Sequence, residues 1–270
     1  MDLSHILVLA LIQALAEFLP ISSSGHLVLV SHFLGWPYQG VTFDLALHIG
    51  TLFAVVAYYR RDLWAMTTES TQIRFNQVLK PNQRLAIMLL IGTIPAALAG
   101  AALGPYVEEI RSPALIAVNL IAFGLLLGYA DRAREQVREV STLTNRDALL
   151  IGCAQMLALI PGTSRSGIVI TACLLLGLTR AGAARYSFLL AVPITALAGS
   201  KGAFDLLRGA ASIEWDTFVL AVCASAIASF ITISVFLRVI RRIGMLPFVI
   251  YRVVLGSIVL LLIAFGLLSA

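Results

Sequence analysis

Residues 3–34 are apolar enough to lie inside a bilayer, and one stretch breaks that pattern: Gln13-Ala-Leu-Ala-Glu17-Phe-Leu-Pro20-Ile-Ser22-Ser23-Ser24-Gly25-His26. A carboxylate, three hydroxyls and an imidazole fall within ten residues. In hydrocarbon such groups cost several kcal/mol each unless they find partners, so a cluster this dense marks a functional site. Residues 3–19 predict an apolar helix stopped by Pro20. Residues 21–25 predict a turn too rich in serine for a helix interior, and 26–34 a second short helix ended by Gly35 and Pro37. Neither arm comfortably reaches the roughly 20 residues a spanning helix needs. A re-entrant helix–loop–helix is therefore expected, its irregular backbone enclosed by protein or a wet cavity.

The rest of the chain agrees with a membrane setting. Of 270 residues, 60% are hydrophobic and 12% charged, where a soluble domain carries roughly 25% charged residues. The net charge of +5 sits in short loops between apolar runs and is no nucleic-acid signature. Cys153, Cys173 and Cys223 lie in apolar stretches without metal or disulfide spacing. The start MDLSH lacks a basic n-region, so the first apolar segment is expected to be retained. Spans are predicted over 43–59, 85–104 (with Pro95 as a kink) and 113–130. A basic linker over 60–84 and a charged loop over 131–147 lie between and after them.

The opening pattern then returns. Residues 155–167, Gln155-Met-Leu-Ala-Leu-Ile-Pro-Gly-Thr-Ser164-Arg165-Ser166-Gly167, align without gaps on 13–25 at an offset of 142, six of 13 positions being identical. A second match pairs Ile91-Gly92-Thr-Ile-Pro95 with Ile243-Gly244-Met-Leu-Pro247 at an offset of 152. The expected fold is an all-α integral membrane protein forming one membrane domain. It contains two inverted repeats (about 1–135 and 140–270), six transmembrane helices and two re-entrant pairs. An odd number of spans per unit inverts the second copy. Charge orients it: 60–84, 131–147, 178–185 and 238–246 hold 14 of the 19 Lys and Arg residues. Placing these segments in the cytoplasm puts both termini outside.

The two loops carry complementary chemistry. Gln13 and Glu17 share a helix face at i, i+4. Glu17 is a general base, a cation ligand or a buried carboxylate held by a neighbour. Ser22, Ser23 and Ser24 offer hydroxyls, one of which caps the following helix. His26 is a proton-transfer group or a satisfied polar residue. In the second loop Gly162, Thr163, Ser164, Arg165 and Ser166 form a glycine-flanked turn opening a helix near Ile168. Such an N-terminus with a guanidinium fork suits phosphate oxygens. At the 142 offset Ser23 pairs with Arg165, Glu17 with Leu159 and His26 with Ile168, so the copies diverge at the reactive positions. Arg252, matching Gly100 at the 152 offset, is a second candidate clamp or a snorkelling residue. Asp44 and His48 either line the cavity or cap a helix. Gln155 and Ser187 read as packing residues. Hydroxyl, carboxylate, imidazole and arginine together fit hydrolysis of a phosphate ester or anhydride.

At these loops the sequence resembles the undecaprenyl pyrophosphate phosphatase family of the bacitracin-resistance type, marked by (E/Q)xxxE, PxS[ST][ST]GH and PGxSRSG. Here they read Gln13-x-x-x-Glu17, Pro20-Ile-Ser-Ser-Ser-Gly-His26 and Pro161-Gly-Thr-Ser-Arg-Ser-Gly167. Phe43-Asp-Leu-Ala-Leu-His-Ile-Gly50, Ser187-Phe-Leu-Leu-Ala-Val-Pro193 and Pro247-Phe-x-x-Tyr-Arg252 also look like the family. The resemblance implies removal of the terminal phosphate of undecaprenyl pyrophosphate, regenerating the carrier lipid of bacterial cell-wall synthesis and conferring bacitracin resistance. It implies a polyprenyl pyrophosphate substrate, a divalent cation (Mg²⁺ or Ca²⁺), a plasma-membrane location and a site opening to the outer face. By position, Glu17, Ser23, His26 and Arg165 are catalytic: Ser23, or a water, attacks the phosphorus, and Glu17 takes a proton or binds the cation. Gln13, Ser22, Ser24, Gly162, Thr163, Ser164, Ser166 and Arg252 contact substrate. A homodimer is compatible with this, and nucleic acid is no partner. The chain departs from the family in Gln13, where Glu is the alternative, and in Val169, where the second motif often has Thr; Thr171 follows two residues later. The competing expectation is a carrier that flips the lipid phosphate, since inverted repeats and a midplane anion site suit transport equally.

Overall fold

The computed structural model describes residues 2–23, 26, 36, 39–73, 78–109, 112–208 and 214–268. They form ten α-helices and no named strand. In order these are α1 (Leu3–Phe18), α2 (Val41–Tyr58), α3 (Arg60–Ser70), α4 (Pro81–Glu109), α5 (Pro113–Ala133), α6 (Asn145–Met156), α7 (Arg165–Leu175), α8 (Arg180–Leu207), α9 (Trp215–Ile243) and α10 (Leu246–Ala264). Six of them, α2, α4, α5, α8, α9 and α10, contain stretches long and apolar enough to cross a membrane. Helices α1 and α7 are apolar but have only 16 and 11 residues, short of the roughly 20 that span.

Local chemistry sets the ends. Ser112 caps α5 ahead of Pro113, with its side chain accepting from the Leu115 N–H. Thr144 and Asp147 form a reciprocal capping box at the start of α6. Thr179 caps α8 through the Gly182 N–H. The basic linker expected over 60–84 contains a helix, α3, and Asn82 and Gln83 both bond back to Glu69 at its end. Helix α4 starts at Pro81, earlier than expected, and runs on through Pro95 without a break.

Close crossings depend on absent side chains. A Cβ on Gly152 of α6 would lie 2.7 Å from the Gly92 carbonyl of α4, and one on Gly50 of α2 would lie 2.5 Å from the Val222 carbonyl of α9. The core between these helices is apolar, with Phe18, Tyr186, Phe188, Ile151, Ile170 and Leu174 fully buried. Three ion pairs tie the linkers to helix ends: Arg180–Asp131 at 2.6 Å, Arg138–Asp147 at 2.8 Å and Arg185–Asp62 at 2.8 Å.

The match at offset 152 does not survive in three dimensions. Ile91 to Pro95 lie inside α4, whereas Ile243 to Pro247 cross the junction from α9 to α10. It aligns unlike elements, and the pairing of Arg252 with Gly100 falls with it. The match at offset 142 places α1 on α6 and the short turn after it, and the two reactive turns on each other.

Candidate active site

Helix α1 has two unlike faces. Leu7, Leu11, Leu15 and Leu19 line, with α9, an open apolar groove of about 660 Å³. Gln13 and Glu17 point the other way, into the bundle, where Gln13 is fully buried. This groove is therefore not where the polar chemistry lies. Past α1 the chain turns sharply, and Ser22 adopts φ of +77°. In the second turn Ser164, 142 positions on, adopts φ of +75°. These are the only non-glycine residues with positive φ among the described residues, and such backbone costs on the order of 1–3 kcal/mol each. At Gly162, φ is +91° and a Cβ would sit 2.5 Å from the Ile116 carbonyl, so only glycine fits. The Ser164 hydroxyl accepts from the Gly167 N–H at 3.1 Å, which starts α7 at Arg165, three residues before the expected position.

The two turns meet. Arg165 Nη2 donates to Glu17 Oε1 at 2.8 Å, and Nη1 donates to the Ser187 carbonyl of α8 at 2.8 Å. Both side chains of this ion pair are mostly buried, at 15% and 12% exposure. Ser23 Oγ donates to the other carboxylate oxygen, Oε2, at 3.3 Å, and Gln13 Nε2 approaches the same oxygen at 3.4 Å. Ser166 Oγ donates to the Leu19 carbonyl at 3.1 Å. The carboxylate thus has a cation on one oxygen and a hydroxyl on the other. A narrow cleft runs over the pair, lined also by Thr51, Leu52 and Val55 of α2 and by Ala191 and Thr195 of α8. Three buried polar atoms on residues adjoining the pair have no partner among the described residues: Gln13 Oε1, Thr163 Oγ1 and Ser187 Oγ. A buried polar atom without a partner costs about 1–3 kcal/mol, and a bound ligand would relieve it.

Other candidates take different partners. His26 does not bond Ser23: its Nδ1 lies 2.6 Å from the Ser22 carbonyl and its Nε2 lies 2.6 Å from Tyr251 Oη. Arg252 neither snorkels nor faces the cleft. It is fully buried, and it donates to five carbonyls: Leu120, Pro20, Asn119, Gly162 and Thr163, at 2.9–3.3 Å. As a substrate clamp it is therefore corrected to a brace, because its donors are spent on backbone of both turns. Thr171 Oγ1 bonds the Gly167 carbonyl within α7. His48 Nδ1 bonds the Asp44 carbonyl within α2. Gln155 donates to the Gly92 carbonyl at the α4–α6 crossing. Ser24 lies outside the described residues. Sequence reasoning passed over Asn119, which holds the Pro161 carbonyl at 2.8 Å, and Tyr251. Tyr251 does precede Arg252 in a stretch already singled out, but nothing in sequence pairs it with a histidine 225 positions away.

Comparison with known proteins identifies the family. The model of the family described as bacitracin resistance protein BacA matches residues 6–258. The chain is 49% identical over 266 residues to "Undecaprenyl-diphosphatase 2" of Stutzerimonas stutzeri, covering 97% of this chain and 98% of that protein. It is 49% identical over 259 residues to the "Undecaprenyl-diphosphatase" of Nitrosococcus oceani, covering 96% and 98%. It is 47% identical over 265 residues to that of Teredinibacter turnerae, covering 98% and 100%.

Proposed function

The chain belongs to the family of the bacitracin resistance protein BacA, and from that premise we infer that it is an undecaprenyl-diphosphatase. It is a multi-pass membrane hydrolase that converts undecaprenyl pyrophosphate to undecaprenyl phosphate and inorganic phosphate. This recycles the carrier lipid of bacterial cell-wall synthesis and confers bacitracin resistance. One observation carries the assignment of the site: a single carboxylate, Glu17, is held between the Arg165 guanidinium and the Ser23 hydroxyl, brought together from turns far apart in sequence.

In the proposed mechanism Ser23 Oγ attacks the terminal phosphorus, the bridging P–O bond breaks, and the lipid monophosphate leaves. The Ser23 proton passes to Glu17 Oε2, its partner at 3.3 Å. Water then cleaves the phosphoseryl ester and the proton returns. Arg165, held by the Ser187 carbonyl, turns its charge from Glu17 to the equatorial phosphate oxygens as they gain charge. The cleft is narrow and Arg165 is bonded to Glu17 across it, so an arriving phosphate has to part the two. The hydroxyls of Thr163 and Ser187 have no partner among the described residues and would donate to the phosphate. Ser22, Ser164, Ser166 and Gly162 shape the turns, and Ser24 belongs to the same serine run.

A divalent cation, Mg²⁺ or Ca²⁺, fits the oxygens present. Gln13 Oε1, on the amide whose Nε2 faces Glu17 Oε2, is a buried acceptor with no partner among the described residues. Hard cations take such oxygens and fill the remaining positions with substrate phosphates. Gln13 and Glu17 would hold the cation, which would supply charge neutralisation of the pyrophosphate.

We further infer two inverted repeats, each with three spans and one re-entrant pair. Several features support this. The candidate spans divide three and three about the 131–147 loop, positive φ recurs at Ser22 and Ser164, and α1 packs on α9 as α6 packs on α4. The basic loops support both termini lying outside, and the family resemblance supports a site open to the outer face. Association into a homodimer is compatible with this architecture. Purified protein in detergent should release phosphate from farnesyl pyrophosphate in the presence of Mg²⁺. Ser23→Ala should abolish release, and full activity in that variant would overturn the assignment.

A further inference from the structure

We propose that Tyr251 is a positioning residue of the reaction, acting by fixing the tautomer of His26. The inference rests on the hydrolase function given above and adds a residue to it.

A carbonyl oxygen only accepts hydrogen bonds. With Nδ1 of His26 lying 2.6 Å from the Ser22 carbonyl, Nδ1 must carry a proton. A neutral ring then has a bare Nε2, and the atom facing it at 2.6 Å is Tyr251 Oη. Tyr251 is the donor, and a donor at Nε2 excludes a proton there. The rings lie near-parallel, at 10° between planes, which seats the hydroxyl at that nitrogen. Tyr251 and the Ser22 carbonyl together thereby fix the Nδ1–H tautomer, Tyr251 by occupying the nitrogen where the competing proton would sit.

The consequence falls on Ser22 and through it on Ser23. The Ser22 carbonyl accepts from the His26 ring and from the His26 backbone N–H at 3.3 Å. Those bonds hold the left-handed backbone of Ser22, φ +77°. Ser23 follows directly and must present its Oγ to Glu17 Oε2. In the other tautomer the Nδ1 lone pair would face the carbonyl lone pairs at 2.6 Å, and the turn would lose the bond that holds it. Tyr251 stands beside Arg252 on α10, and Arg252 braces the Pro20 carbonyl at the other end of this turn. The adjacent pair therefore fixes the turn at both ends. Tyr251 is 43% exposed, so loss of its hydroxyl leaves no void in the core.

The test is Tyr251→Phe, which keeps the ring and removes the donor, measured alone and in a His26→Ala background. Phosphate release from farnesyl pyrophosphate should show kcat lowered roughly three- to tenfold, the factor of one net neutral hydrogen bond. KM should be unchanged, because Arg165 is untouched. In His26→Ala the Tyr251→Phe change should have no further effect on the residual rate. ¹⁵N NMR of the histidine side chains should show His26 as the Nδ1–H tautomer in the wild type and a mixture in Tyr251→Phe. Thermal unfolding of the variant should match the wild type. A kcat effect of equal size with and without His26, or an unchanged tautomer, would overturn the proposal. A tautomer change in a protein that releases no phosphate would leave the tautomer lock standing and sink the hydrolase assignment instead.

Discussion

Removing the Arg165 guanidinium has consequences that can be calculated in both stability and rate. Arg165→Met keeps the length of the stem but deletes the 2.8 Å bond to Glu17 and the 2.8 Å bond to the Ser187 carbonyl. It leaves a carboxylate at 12% exposure without its counter-ion. Breaking a buried pair from one side costs about 3–5 kcal/mol. The residual exposure and the Ser23 and Gln13 contacts place this case at the low end, about 3 kcal/mol. Glu17→Gln in the Arg165→Met background removes the stranded charge, so most of that loss should return and the pair should couple by about 2 kcal/mol. Catalysis behaves differently. Loss of a charge-assisted donor at the reacting phosphate should lower kcat by about 10²–10³-fold in Arg165→Met, and the second substitution cannot restore it. Two measurements on the same detergent preparations separate the effects: unfolding followed by helical circular dichroism, and phosphate release from farnesyl pyrophosphate. Strictly additive stabilities would show that Glu17 and Arg165 are not an energetic pair. Retained turnover in Arg165→Met would remove Arg165 from the mechanism.

Gln13→Glu would set a second carboxylate beside Glu17 Oε2, 3.4 Å from the present amide; the Mg²⁺ concentration for half-maximal activity should fall severalfold, and an unchanged metal titration would count against a cation there. Gly152→Ala forces a Cβ to 2.7 Å from the Gly92 carbonyl, so the α4–α6 crossing must open; a loss of about 1–3 kcal/mol in unfolding is expected, whereas Gly104→Ala, with open space around it, should be neutral. Asp147 at the start of α6 is subject to burial, which raises its pKa, but the Arg138 and Thr144 hydrogen bonds outweigh this and hold it below its ordinary value. Its contribution is therefore present above the unfolded-state pKa and lost as pH falls through the lower folded-state value. Asp147→Asn should cost roughly 1 kcal/mol at pH 7 and progressively less below about pH 4, followed by unfolding across that range.

The sequence displayed some levels of this structure and hid others. The hydropathy of residues 41–58, 81–104 and 113–133 made the spans visible, because lipid demands an uninterrupted apolar run. The polar interruption at Gln13, Glu17 and Ser23, and its echo around Arg165, made the meeting of the two turns visible. Charge and hydroxyl inside an apolar segment need partners, and each turn lacked what the other had. Helix α3 stayed hidden because its residues are mixed and polar, so neither hydropathy nor a clear stripe marks it. The partners of Arg252 and His26 stayed hidden for another reason. Both bond backbone carbonyls, which every residue possesses, and which carbonyls come near is decided by packing across the whole chain. The offset of 152 shows the same limit from the other side. A Gly and a Pro with apolar neighbours recur by chance in membrane sequence, inside a helix at Gly92 and between helices at Gly244.

The single guanidinium of Arg252 also bears on whether the two reactive turns can move apart. It bonds carbonyls before the first reactive turn (Pro20), within the second (Gly162 and Thr163), and on α5 (Asn119 and Leu120), all from α10. Alternating access needs one half to rock against the other, and any such rocking would shear these bonds together in a medium that offers no water to replace them. A carrier would have to undo this rivet in every cycle. A hydrolase gains from it, since the backbones of the two turns stay in register while the Arg165 side chain turns to the phosphate.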